Sequence, residues 1–305
     1  MIILGSGYVG LALARTALAA GEPVAALTRN PDQAAALRAL GVAPVVVADL
    51  AGSDWHRTLN PADGDIVNCV SPSSSGVEGY RHSFLDGLDS IRHWLEKSSA
   101  QGHQPARSIV FTSSTAVYPQ ADGSWVDETT LIEPTTLGPG GAVLREAEER
   151  WLALSPQLAQ RSWVLRLAGI YGPDRHHLLD TLRAGEKSFP GGGGHWVNLI
   201  YRDDIVSAIR ACFTARPEIT GGIFNVVDDE PVLKKDLVTW LAQRLGQNPA
   251  ALQFDETLHA RAIHRRTASG VIPHRRISSF KLQKTLAWAP QCHSYREGYE
   301  LVLGQ

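Results

Sequence analysis

Three glycines near the start constrain this chain more than any other feature. Gly5, Gly7 and Gly10 form G-x-G-x-x-G directly after the apolar residues 1–4 and directly before residues 8–20, which have helical apolar spacing. At that spacing each glycine has its own task. The first allows the tight turn, the second lets backbone approach a pyrophosphate, and the third lets the helix pack on the strand. The helix N-terminus then offers free N–H groups and a partial positive charge to the phosphates. The pattern alone is weak. Set in a strand–turn–helix, it predicts a nicotinamide dinucleotide held by Gly5, Ser6, Gly7, Tyr8, Val9 and Gly10.

The following residues keep that frame. Strand-like apolar runs at 23–27, 44–48, 65–70, 108–112 and 162–167 alternate with helical stretches at 31–40, 83–97 and 142–154. Continuous apolar strands separated by helices predict a parallel sheet covered on both faces, the doubly wound Rossmann architecture of the α/β class. Farther on, residues 203–215 and 234–245 read as helices and 222–227 as a strand. The expected division is a dinucleotide-binding domain over 1–170, to which 200–230 add a late helix and strand. Residues 171–199 and 231–305 then form a smaller C-terminal substrate lobe.

Composition serves mainly to exclude. A formal net charge of -2 on 305 residues gives no footprint for nucleic acid. No apolar run approaches the ~20 residues that span a bilayer. The apolar opening lacks a basic leader and is interrupted by glycines and Arg15, so a βα unit explains it better than an export signal. Cys69, Cys212 and Cys292 are far apart, with no C-x-x-C pair. That gives no support to a metal site or to dithiol chemistry, and it fits a reducing, cytoplasmic setting.

The strand ends indicate which dinucleotide. A carboxylate closing the second strand would bind ribose hydroxyls and repel a phosphate, whereas this chain has Thr28-Arg29-Asn30 there. Arg29 can stack on adenine and pair with a 2′-phosphate, which favours NADP over NAD. Asp49-Leu50 closes the third strand, beside the expected adenine. Val70-Ser71 closes the fourth and should run along the nicotinamide ribose.

At the fifth strand the chain reads Ile109-Val110-Phe111-Thr112-Ser113-Ser114-Thr115-Ala116-Val117-Tyr118-Pro119. This resembles the serine-bearing strand of extended short-chain dehydrogenases, the epimerase and dehydratase type. Leu165-Arg166-Leu167, then Gly169-Ile170-Tyr171-Gly172-Pro173, resemble that family's strand and substrate loop. Residues 198–204 (NLIYRDD) and 224–226 (FNV) resemble its later segments, so the likeness spans nearly the whole chain. It implies an oxidoreductase or epimerase acting on a small polar substrate, such as a sugar nucleotide or another carbonyl compound. It also implies pairing as a homodimer through helices. Ser114 matches the family's catalytic serine, and Thr112, Gly169 and Ile170 fall on cofactor positions. Tyr171, Arg175, His195, Asn198 and Arg276 fall on the substrate side.

Two departures make the member atypical. Its glycine turn is tighter than the family's G-x-x-G-x-x-G. The family's Tyr-x-x-x-Lys, which moves a proton and holds the ribose, falls on Gly140 and Leu144. No tyrosine in the chain has a lysine four residues on. Tyr118, just past the serine strand, is the first candidate to replace the lost proton donor. Tyr171, Arg175, His176, His177 and His195 follow. Basic residues Arg261, Arg265, Arg266, Arg275 and Arg276 are candidates for an anionic substrate group, with Arg276 first. The alternative is a non-catalytic binding or redox-sensing protein of the same fold. The string GSGYVGLALA also resembles nucleotide-sugar dehydrogenases, which use a catalytic cysteine, but the cysteines here lie in apolar surroundings or near the end.

Overall fold

Seven short apolar strands pair in parallel, as their uninterrupted Val, Ile and Leu content requires of a sheet buried on both faces. The computed structural model describes residues 1–154, 156–255 and 272–304. The strands are β1 (Ile2–Leu4), β2 (Ala25–Thr28), β3 (Val45–Val47), β4 (Asp65–Asn68), β5 (Ser108–Ser114), β6 (Ser162–Leu167) and β7 (Gly221–Val226). Their spatial order is β7-β6-β5-β4-β1-β2-β3. The order reverses between β1 and β4, and there the carboxyl ends open a crevice. The expected doubly wound fold is therefore present.

The described helices are α1 (Tyr8–Ala19), α2 (Pro31–Ala39), α3 (Val77–Tyr80), α4 (Gly87–Ala100), α5 (Pro139–Leu152), α6 (His177–Arg183), α7 (Arg202–Phe213), α8 (Lys234–Arg244), α9 (Phe280–Leu286) and α10 (Tyr295–Leu303). None is long and apolar enough to cross a membrane. One expected helix differs. Residues 83–97 read as a single helix, but Arg81–Asp86 form a π-helical turn between α3 and α4. Apolar spacing does not reveal the extra residue in such a turn. β5 also runs two residues farther than expected. Thr112 and Ser114, two apart on one strand, share a face.

One cluster of buried side chains wraps the sheet. A second joins Leu179 and Leu182 of α6 to Leu237 and Leu241 of α8 and to Tyr295 and Tyr299 of α10. Ile277, Leu282 and Trp288 belong to the sheet cluster, so the C-terminal segment is shared between the two. A charged knot sits inside the sheet layer. Arg166 of β6 and Glu148 of α5, 1% and 0% exposed, form paired hydrogen bonds at 2.7 and 3.0 Å. Ser113 of β5 donates to the same carboxylate at 2.7 Å. Buried charges persist only when paired and fully hydrogen-bonded, so this knot fixes α5 over β5 and β6.

Candidate active site

The glycine turn is shaped by what surrounds it. Gly5 has φ +88°, and a Cβ there would lie 2.7 Å from the Val70 amide nitrogen. A Cβ on Gly10 would lie 2.6 Å from the Gly5 carbonyl oxygen. Both positions exclude side chains, the first by conformation as well. The Gly5 and Ser6 amides donate to the Leu27 carbonyl at 3.0 and 3.3 Å, tying the turn to β2. Gly7 is different. It has open space where a Cβ would go, and it begins α1 without a side-chain cap. The first amides of α1 therefore face an open cradle that fits a pyrophosphate.

A cavity of about 210 Å³ continues from the cradle, lined by Thr28, Arg29, Asn30, Asp49, Leu50, Val70 and Ser71. Asn30 caps α2, its Oδ1 accepting from the Asp32 amide at 2.8 Å. Thr28 Oγ1 accepts from the Asn30 amide at 3.2 Å. Arg29 is not alone at this end. Asp49 stands 3.6 Å from it, and His82 contacts the other carboxylate oxygen at 3.1 Å. Burial pushes the Asp49 carboxyl upward, but the Ala51 amide, His82 and Arg29 together hold it below its usual value. The carboxylate missing from the end of β2 is thus supplied from the end of β3.

A larger cavity, about 470 Å³, extends from Gly7, Tyr8, Val70 and Ser71 past Tyr80, Thr112 and Ser114 to Gly169, Ile170, Tyr171 and Arg175. Tyr8 donates to the Pro173 carbonyl at 2.7 Å, with Arg175 and Arg202 over its ring. Burial, partly offset by those two arginines, pushes its phenol up to about 12. Thr112 donates to the Asn68 carbonyl at 3.1 Å. Tyr171 stacks on Tyr299 at 4.6 Å, its hydroxyl buried and without a partner.

Ser114 stands where this cavity meets a third, of about 390 Å³. Its Oγ accepts from the Ala116 amide at 3.2 Å, which leaves its proton free to donate into the cleft. The third cavity is lined by His195, Trp196, Asn198, Lys234 and Arg275. Arg275 is 6% exposed, donates to the Thr115 carbonyl at 2.9 Å, and leaves Nε without a partner among the described residues. Burial pulls its guanidinium down to about 10, and no carboxylate among the described residues pairs with it. Lys234 donates to the Pro190 carbonyl at 2.7 Å and is lowered by burial. Burial, then Lys234 and His274, press His195 down to about 4, so it is neutral at neutral pH.

Three expectations change in this setting. Tyr118 is 1% exposed, and its hydroxyl donates to Asn225 Oδ1 at 2.9 Å and accepts from Arg166 at 2.8 Å. Burial, against the pull of Arg166, pushes it up to about 12. It completes the Glu148–Arg166 knot, and its proton is already committed. Arg276 does not line the cavity. It lies between Trp125 and Trp196, 5.1 and 5.4 Å from their rings, and donates to the Gly123 carbonyl. Arg275 immediately precedes the two-residue strand Arg276–Ile277, and of the two arginines Arg275 is the one that lines the cavity. Asn198 lines the cavity, but its amide clamps that strand, donating to the Arg275 carbonyl and accepting from the Ile277 amide. Arg261, Arg265 and Arg266 lie outside the described residues. Lys234 and Tyr80 were not singled out by sequence, because nothing local distinguishes them. Burial pushes the Cys69 and Cys292 thiols up to about 12 and raises Cys212 as well.

A model of the NAD dependent epimerase/dehydratase family matches residues 1–226. No curated protein matches the sequence. Among solved structures, a functionally unknown conserved protein from Silicibacter pomeroyi DSS is 27% identical, with a TM-score of 0.77 over 99% of this chain and 97% of that one. MoeE5 in complex with UDP-glucose and NAD is 19% identical, with a TM-score of 0.73 over 99% and 97% of the two chains. UDP-glucose 4-epimerase from Thermotoga maritima, with UDP-glucose, is 16% identical, with a TM-score of 0.76 over 100% and 98%. At their identities the last two show a shared fold.

Proposed function

The chain belongs to the NAD-dependent epimerase/dehydratase family, and from that premise we propose that it moves hydride between a nicotinamide dinucleotide and a carbonyl or hydroxyl carbon of a small polar substrate bearing an anionic group. The observation that carries this reading is the position of Ser114. Its free hydroxyl proton stands at the junction of the cavity that begins at the glycine cradle and the cavity lined by Arg275 and Lys234. The cradle amides would hold the pyrophosphate, Asp49 and Arg29 the adenosine end, and Val70 and Ser71 the nicotinamide ribose. When bound, the dinucleotide supplies or accepts the hydride. Ser114 then holds and polarises the substrate oxygen. Arg275 and Lys234, two cations that pair with no carboxylate among the described residues, would orient an oxyanion in a partly desolvated site where such pairing is strong.

The Arg29 side chain supports NADP over NAD, and Asp49 keeps the preference small. Arg29 and Asp49 are 48% and 40% exposed, so their ion pair is weak and Arg29 is free to turn to a 2′-phosphate. The same phosphate would meet the Asp49 carboxylate. The second reading, a dinucleotide-binding protein without chemistry, is favoured by the lack of any Tyr-x-x-x-Lys. Calorimetry with each reduced dinucleotide, followed by absorbance assays of its oxidation, decides between them. The assays would use paired carbonyl compounds with and without a carboxylate or phosphate. Turnover favouring the anionic partner of each pair is expected. Tight dinucleotide binding with no turnover of any pair would favour the second reading.

A further inference from the structure

If hydride reaches a carbonyl carbon here, a proton must reach its oxygen. The phenols and imidazoles lining the cavities can be sorted by what already holds them. Tyr8 donates to the Pro173 carbonyl, and Tyr118 to Asn225. Tyr171 stacks face to face on Tyr299 within the second hydrophobic cluster. His195 is neutral and lies in the anion-side cavity, away from the glycine cradle. Tyr80 remains. It is half-buried, lines the same cavity as Ser114 and the glycine cradle, and its hydroxyl bonds to no described residue.

The fold places Tyr80 there with some care. α3 ends at Tyr80, and Gly79 packs so closely on Ser74 that no side chain fits at 79. The Ser73 amide donates to the Gly79 carbonyl at 3.3 Å, closing the segment on itself. The π-helical turn begins at the next residue, and such turns concentrate at functional sites because they reset which side chains face a cleft. Opposite stands Gly140 of α5. A Cβ there would lie 3.0 Å from Tyr80 Cε1 and 3.2 Å from Cζ. The Tyr80 ring occupies the room that a side chain at 140 would need, and the glycine admits it.

We propose that Tyr80 is the proton donor of this cleft, its ring in the room that Gly140 leaves open and its phenol on the cavity it shares with Ser114. The inference rests on the hydride-transfer reading above. The balance is simple. The carbonyl carbon gains a hydride from the reduced nicotinamide, which leaves oxidised. The C=O π pair moves onto oxygen, which takes the Tyr80 proton, and solvent reprotonates the phenolate. In the reverse direction the phenolate accepts the alcohol proton. Ser114 holds the same oxygen throughout.

Two measurements on the full chain test this. The first needs no substrate. The oxidised nicotinamide ring is cationic and the reduced ring is neutral, so a phenol beside it ionises more easily only in the oxidised complex. Titration of tyrosinate by near-ultraviolet absorbance is expected to show one tyrosine ionising at lower pH with the oxidised dinucleotide than with the reduced one. Tyr80→Phe, which removes no hydrogen bond to a described residue, is expected to abolish that step. No difference between the two complexes, or a step that persists in Tyr80→Phe, overturns the assignment. The second measurement uses phenanthrenequinone as the carbonyl probe. Tyr80→Phe is expected to lower kcat by about 100-fold or more, with the dinucleotide Kd unchanged. Equal kcat in the two proteins overturns the role of Tyr80 while leaving the hydride-transfer reading in place. Absence of turnover in the wild type counts against that reading, and the titration still decides Tyr80.

Discussion

The two ends of the cleft are built by different means. The dinucleotide end is made of backbone: a glycine at φ +88°, a second pressed against its carbonyl, and uncapped amides opening α1, all within ten residues. The other end, which we assign to the substrate, is lined by side chains from five separated segments: Tyr80, Ser114, His195, Lys234 and Arg275. A backbone site is set by the local conformations a few residues permit. A side-chain site exists only after the sheet has brought distant segments together, and each member depends on its own anchor. Tyr118 and Arg276 show how easily such a site is misread. Both have suitable chemistry, but one is spent on a buried knot and the other between two tryptophans.

The comparison can be broken at its strongest point first. Glu148→Ala strips the buried Arg166 of its carboxylate and frees α5 from β5 and β6. A loss of about 3–5 kcal/mol is expected in denaturant unfolding. A loss below 1 kcal/mol would mean that the substrate wall does not depend on this knot. Gly5→Ala attacks the backbone end, where a Cβ meets Val70 backbone at 2.7 Å. Strain on the order of 2–3 kcal/mol, or about 100-fold in dinucleotide affinity, is expected by calorimetry. The anion-side cavity should remain, and retention of wild-type affinity would refute the backbone account.

The third test is pH. Because His195 is depressed from 6.5 to about 4 by burial, Lys234 and His274, the unfolded chain binds the extra proton first. Stability is therefore expected to be intact above about pH 6.5 and to fall as pH drops toward 4, by on the order of 2 kcal/mol from this group. His195→Gln should flatten that part of the stability profile. A slope unchanged by the substitution would show that His195 is not held in its neutral form. The smallest effects belong to the adenosine end. Arg29→Ala is expected to erase the preference for NADPH over NADH, and Asp49→Asn to enlarge it, each by a few-fold, as exposed charges of this kind provide. Affinity ratios unmoved by either change would remove both residues from dinucleotide selection.

What could be read in advance follows the same division. The alternation of apolar strands and helices gave the parallel sheet, because period and burial are local properties. The 3.6-residue period did not reveal the π-helical turn at Arg81–Asp86, since apolar spacing carries no mark of one added residue. Along the candidate site, Ser114 and the glycine cradle were legible from motif and position. Lys234 was not, because a lysine opening a helix looks like any solvated one until its partial burial beside the cavity is seen.

By itself the sequence determined the turn at Gly5, Gly7 and Gly10, the doubly wound frame it opens, and that no tyrosine is followed by a lysine four residues on. These depend on residue type at fixed spacing, and steric rules act on them directly. Only the tertiary structure decided that Asp49 returns a carboxylate to Arg29, that Arg275 rather than Arg276 faces the cavity, and that Tyr80 fills the space beside Gly140. Each of these is a meeting of residues 20 or more apart in the chain or a matter of which of two neighbouring residues turns inward. Such meetings are fixed by packing of the whole sheet and its helices, and no short stretch of sequence contains them.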